Sequence, residues 1–195
     1  MWLATVGFGP DVPFEQIHVM LYSYFPQVTR GDPRPYVFRL LTRERLAVGS
    51  SLRPVAPDAR RVSPERGVTY DFRLTFKRVR NIHGSDSRPD GTRRARVPRV
   101  VEITDPGEMK TRIARFAAPR GGSVRYVRVE NVRLLTTRRF TLPIADAVGK
   151  IYVDDAALID RELLCNGGPS TGKSFGCGMW WLPELMVPAD PVRAA

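Results

Sequence analysis

Alternation of apolar and polar positions is clearest over residues 68–76. Val68, Tyr70, Phe72, Leu74 and Phe76 share one side, and Thr69, Asp71, Arg73 and Thr75 share the other. A period of two predicts a half-buried β-strand. Residues 2–8 read as a shorter strand. Phe14, Ile17, Leu21 and Phe25 then recur at helical spacing, with Asp11 as N-cap, Pro13 in the first turn and Pro26 as the stop. A polar, Pro-rich loop leads to Pro35, and residues 36–42 and 45–53 predict a hairpin. Residues 54–67, rich in Pro and Arg, show no assignable period. Residues 81–96 read as a flexible basic loop and a domain junction. In the second half, a strand at 97–103 precedes a helix opened by Asp105-Pro106, with Met109, Ile113 and Phe116 on one stripe. Strands follow near 124–135 and 147–153. A helix capped by Asp154 or Asp155 runs to Cys165 and carries Leu158, Ile159 and Leu163. A last strand spans 174–182, and the tail from 186 is loose. That order is βαββαβ, the ferredoxin-like arrangement. The first half shows βαββ…β with its second helix missing or irregular. The expected fold class is therefore α+β, with two tandem ferredoxin-like (RRM-like) domains at 1–90 and 91–188.

Composition adds two constraints. The chain has 195 residues, 43% hydrophobic and 26% charged, which excludes a disordered, collagen-like or coiled-coil chain. Its net charge is +11, and 27 of its 31 basic residues are Arg. Arg grips phosphate with a planar fork, so the bias suits a nucleic-acid partner; a GC-rich genome gives the same bias. Position separates the two causes. Residues 1–87 carry net +5, residues 88–139 net +9, and residues 140–195 net −3. A central basic belt is what a phosphate backbone requires. The two cysteines, Cys165 and Cys177, form neither a disulfide framework nor a CxxC zinc pair. With no signal peptide at the start and no apolar run long enough for a bilayer, the expected location is the cytoplasm, with no membrane partner.

Residues 167–174, GGPSTGKS, satisfy the P-loop pattern GxxxxGK[ST] letter for letter. A P-loop works between a strand and a helix, whose N-terminus receives the phosphate. Here a helix precedes and a glycine-containing strand follows, so an NTPase ranks a distant third among the readings. What remains is a glycine-rich loop whose backbone N–H groups and Lys173 can hold phosphate, or a tight helix-to-strand turn.

The segment Gly168-Pro169-Ser170-Thr171-Gly172-Lys173-Ser174-Phe175-Gly176-Cys177-Gly178 resembles the C-terminal glycine-rich loop of CRISPR repeat-processing endoribonucleases, most of all the type I-E branch called CasE. The opening Trp2-Leu3 and the helix Phe14 to Pro26 resemble that family's first strand and its His-bearing helix ending in Phe-Pro. Arg94-Ala95-Arg96-Val97-Pro98 resembles its basic segment before the second domain, and Asp155 to Asp160 its last helix. The resemblance implies two ferredoxin-like domains, metal-free cleavage of precursor CRISPR RNA beside its stem-loop, and no cofactor. It implies attack by a 2′-OH on the adjacent phosphate to leave a 2′,3′-cyclic phosphate. The implied partners are CRISPR repeat RNA and the other type I-E Cascade subunits, among which the product is retained.

Metal-free RNA cleavage needs a group that moves protons near neutral pH, and histidine is the natural one. Of the two histidines, His83 falls in the basic loop as a solvated residue. His18 sits on the rim of the apolar stripe, half-exposed as a catalytic group must be, or else is a helix-surface histidine with no task. The resemblance favours catalysis. Glu15 and Tyr22, three before and four after, share its side of the helix. The family often has Tyr where this chain has Glu15, so Tyr22 supplies the lost hydroxyl, or Glu15 orients the imidazole, or the site is weakened. No Lys or Arg lies on helix 11–25, which leaves Arg30, Arg34 and Lys173 to meet the phosphate charge. Arg93, Arg94, Arg96, Arg99, Arg125, Arg128, Arg133, Arg138 and Arg139, with Gly172 and Ser174 of the loop, are the candidates for holding the RNA. An A-form stem offers mainly phosphates and 2′-OH groups to such a belt. In a regular strand Arg125 and Arg128 fall on opposite faces. A non-catalytic RNA-hairpin-binding subunit of the same complex is the alternative.

Overall fold

The computed structural model describes residues 1–29, 32–82, 99–137, 141–169 and 176–187. The chain runs β1 (Trp2–Gly7), a 3-10 turn (Phe14–Gln16), α1 (Ile17–Leu21), a second 3-10 turn (Tyr22–Tyr24), β2 (Tyr36–Leu40), β3 (Arg45–Ser50) and β4 (Arg60–Arg61). It continues with β5 (Thr69–Lys77), β6 (Val79–Ile82), β7 (Arg99–Glu102), α2 (Pro106–Ala117), β8 (Gly122–Thr136) and β9 (Thr141–Val153). It ends with α3 (Ala156–Leu158), extended as a π-helical segment over Ile159–Leu164, and α4 (Pro183–Met186). The class is α+β, as expected.

The first sheet has the order β2-β3-β1-β4 with antiparallel pairing. This is the ferredoxin-like order with the second helix absent, and β4 comes from the stretch where the sequence showed no period. The helix over residues 14–24 is broken into 3-10, α and 3-10 turns, and no side chain caps α1, so the cap expected of Asp11 is not made there. Its stripe nevertheless packs as its spacing requires. Ile17, Leu21 and Phe25 are buried against Val6, Tyr36, Phe38, Leu46 and Val48.

The second sheet has the order β5-β9-β8. Tyr70, Phe72, Leu74 and Phe76 are all buried, so the alternation was read correctly, but its sheet was not. β5 pairs antiparallel with β9 over its whole length. Outside it, residues 178–181 run antiparallel to β5, with Gly178 N–H to the Thr75 carbonyl at 2.6 Å and reciprocal Arg73–Trp181 backbone bonds at 2.8 and 2.9 Å. The last strand is therefore an irregular extended segment. Strand order across this half is again ferredoxin-like, but β5 is its first strand. The stretch expected to fill that role forms β7, which among the described residues pairs only with β6. A boundary at residue 90 does not follow the pairing, because β5 and β6 both bond strands of the second half.

α2 forms because Asp105 caps it, its carboxylate accepting from Gly107 N–H at 3.0 Å and Glu108 N–H at 2.9 Å. Met109 and Ile113 go fully into the core, and Phe116 is half-buried. One core cluster contains Leu3, Val37 and Ala47 of the first sheet together with β5, β9, α2 and Trp180, so the two sheets share packing. No helix among the described residues is long and apolar enough to cross a membrane.

Candidate active site

His18 lies beside buried Ile17 and is half-buried. Its Nδ1 is shut off from solvent without a full hydrogen bond. Burial, and then the charge of Arg34, lower the imidazole pKa from the ordinary 6.5; a contact with the Glu15 carbonyl partly opposes them. The neutral ring is thereby favoured at neutral pH.

Tyr36 positions the helix, and nothing in the sequence singled it out. Its hydroxyl donates to the His18 carbonyl. Its ring stacks on Phe25 (centroids 5.2 Å apart, 13° between planes) and takes Tyr22 edge-on (5.6 Å, 75°). Burial raises its pKa well above the ordinary 10, which keeps the donating proton in place. The Arg34 guanidinium lies 5.5 Å from the ring centroid. His18, Tyr22, Arg34 and Tyr36 thus form one cluster. A tyrosine opening a strand carries no sequence signal of a bond to a helix carbonyl 18 residues earlier.

The Glu15 carbonyl bears on His18. Glu15 lines a cavity of about 610 Å³ with Asp11 and with Thr136 at the far end of β8.

The glycine-rich loop is anchored at both ends. Helix precedes it, through Ile159–Leu164, and extended chain follows, the reverse of a P-loop. Gly178 sits at φ +96°, and a Cβ there would come within 3.0 Å of the Gly168 nitrogen. A Cβ at Gly176 (φ +67°) would meet the Phe38 ring. Arg112 of α2 donates to the Pro169 carbonyl through Nε (3.2 Å) and Nη2 (2.9 Å), and also to the Val79 carbonyl. The loop residues Gly172, Lys173 and Ser174 lie outside the described residues. So do Arg30, His83, Arg93, Arg94, Arg96, Arg138 and Arg139. Arg99 is described only as part of the β7 backbone.

Arg125, Arg128 and Arg133 are all exposed on β8. β8 breaks register between Val124 and Tyr126, so Arg125 is an extra residue opposite β9. The bulge shifts parity by one. Arg125 lies over the Tyr152 ring at 4.8 Å, and Arg128 pairs across from Val148. Tyr152 and Val148 are on the same side of β9, so Arg125 and Arg128 share a face. The opposite-face expectation fails because it assumed a regular strand. Arg128 is held by Glu130 at 2.5 Å and Arg133 by Asp146. Among the described residues no cluster of three His, Cys, Asp or Glu side chains is arranged to hold a metal.

No family model and no curated protein matches this sequence. Solved structures do match. Cas6e from Escherichia coli K-12 is 19% identical, with a TM-score of 0.68 over 93% of this chain and 98% of that one. Cse3 from Thermus thermophilus, bound to an RNA representing a pre-cleavage complex, is 17% identical, with a TM-score of 0.71 over 93% and 98%. A chain of a CRISPR RNA-guided surveillance complex is 18% identical, with a TM-score of 0.63 over 96% and 100%. This chain has the Cse3 fold. At these identities the fold is what is shared. In that Cse3 fold the His18 cluster forms where α1 and the following 3-10 turn meet Arg34 and β2, and the described ends of the glycine-rich loop are anchored against β2 and β5.

Proposed function

We propose that this protein is an endoribonuclease that binds the stem-loop of CRISPR repeat RNA and cleaves the precursor without a metal. The observation that carries the reading is a half-buried histidine, biased to its neutral form and set beside Arg34, in a chain with the fold of Cse3, an endoribonuclease solved with RNA bound. Neutral His18 accepts the proton of the 2′-OH beside the scissile phosphate. The oxygen attacks phosphorus, the bond to the 5′-oxygen breaks, and the products end in a 2′,3′-cyclic phosphate and a 5′-OH. Arg34, with Arg30 and Lys173, meets the charge that builds on phosphate. Tyr22 supplies the hydroxyl lost with Glu15 and protonates the leaving oxygen. The exposed face of β8 and the basic belt hold the stem. The mature RNA stays bound, and the protein acts in the cytoplasm as a subunit of a type I-E Cascade complex.

A second reading is a non-catalytic hairpin-binding subunit. It is favoured by Glu15, which stands where the resemblance leads one to expect a tyrosine. Incubating the protein with an end-labelled repeat hairpin in EDTA separates the two. Cleavage to a cyclic phosphate is expected. Tight binding with intact RNA supports the second reading, and EDTA-sensitive cleavage overturns the metal-free mechanism.

A further inference from the structure

We propose that the cavity around Arg39, at the seam between the two sheets, is a phosphate subsite that grips one phosphodiester of the bound RNA strand. This rests on the RNA reading above. The cavity measures about 170 Å³ and is lined by Arg39 of β2, Thr75 of β5, Arg133 of β8, Asp146 of β9 and Gly176. That is far more than the roughly 10–15 Å³ one water needs. Arg39 stands three residues beyond Tyr36, roughly 10 Å along the strand, so the subsite is separate from the His18 cluster.

Charge in the cavity is unbalanced. Among the described residues Asp146 is its one carboxylate, and it is already engaged. It accepts from Thr75 Oγ1 at 2.6 Å and pairs with Arg133. Arg39 is half-buried, and its Nη1 is shut off from solvent with no hydrogen-bond partner. Burial most of all, with the like charges of Arg73 and Arg133, disfavours the Arg39 cation, and Asp146 partly offsets them. Two guanidinium groups, Arg39 and Arg133, therefore line the cavity with one carboxylate, and one buried donor on a cation is unsatisfied, a costly arrangement unless an anion completes it. A phosphodiester does so. Its two free oxygens match the guanidinium fork, and at Gly176 no side chain blocks its approach. Gly176 belongs to the C-terminal, anchored end of the glycine-rich loop, so a strand held there runs beside that anchor and β2.

The test has two arms. In the first, inorganic phosphate is titrated into the free protein while the Gly176 amide and Arg39 Nε are followed by 15N NMR. In the second, hairpins carrying single methylphosphonates along the strand are bound to wild type and to Arg39→Gln. The expected result is a saturable shift at Gly176 that Arg39→Gln abolishes, together with one methylphosphonate that weakens wild type roughly tenfold, the size of a charge-assisted bond, but costs Arg39→Gln nothing further. If Arg39→Gln does not fold, Arg39→Lys, which keeps the charge without the fork, shows the same coupling at reduced size. A phosphate shift with no coupled methylphosphonate overturns the RNA assignment, and no shift overturns the subsite. If wild type binds no hairpin, the proposed function fails, and the phosphate arm alone then judges the cavity.

Discussion

The proposed role of His18 is that of a neutral base, and its surroundings favour that form by penalising its charge. The ring is partly desolvated, and Arg34 repels a second cation. Since the folded pKa lies below 6.5, the neutral ring persists as pH falls to 6.5 and protonates only below it. Following the His18 ring protons by NMR in the RNA-free protein should give a midpoint below 6.5, and Arg34→Ala should raise it; a midpoint at or above 6.5 would contradict the assigned environment. Tyr36 acts at the same scale through the backbone. Tyr36→Phe keeps the stack on Phe25 but leaves the His18 carbonyl without its donor. The expected loss is about 1–2 kcal/mol, read as a lower melting temperature together with slower cleavage; unchanged values for both would remove Tyr36 from the site. The sequence singled out His18 and Arg34, and the structure brings them together. Tyr36 was not legible, because a bond between a strand side chain and a distant helix carbonyl depends on packing that no local pattern encodes.

At the scale of elements, local chemistry was legible wherever the chain itself supplies the reason. The β5 alternation, the Asp105 cap and the Met109–Ile113 stripe all appear as read. Pairing partners were not legible. β5 looked like the last strand of the first domain, yet its edge bonds go to β9 and to residues 178–181. The Arg125 bulge likewise reversed an inference from strict parity, since one unpaired residue turns every following side chain over. The loop anchor is an element-level device that depends on glycine. Gly178 lies at φ +96° and is in close approach to Gly168. Gly178→Ala is expected to cost about 1–3 kcal/mol in urea unfolding, and to slow cleavage by displacing the loop; a cost within 0.5 kcal/mol would show that the anchor tolerates a side chain.

Across the whole molecule, the proposed function depends on bringing a helix without Lys or Arg and a basic belt to one RNA. Helix 14–24 has neither Lys nor Arg, while the shared core joins the sheet beneath it to the sheet that carries β8. The ferredoxin-like duplication was foreseeable from element order. Its seam was not, because strand order, unlike strand location, is decided by contacts far apart in sequence. The central claim is that His18 moves the proton in cleavage. Single-turnover cleavage of the repeat hairpin in EDTA by wild type and His18→Ala tests it most directly. The account predicts a loss of about 10²–10⁴ in rate with hairpin affinity retained. Cleavage by His18→Ala at the wild-type rate would contradict it.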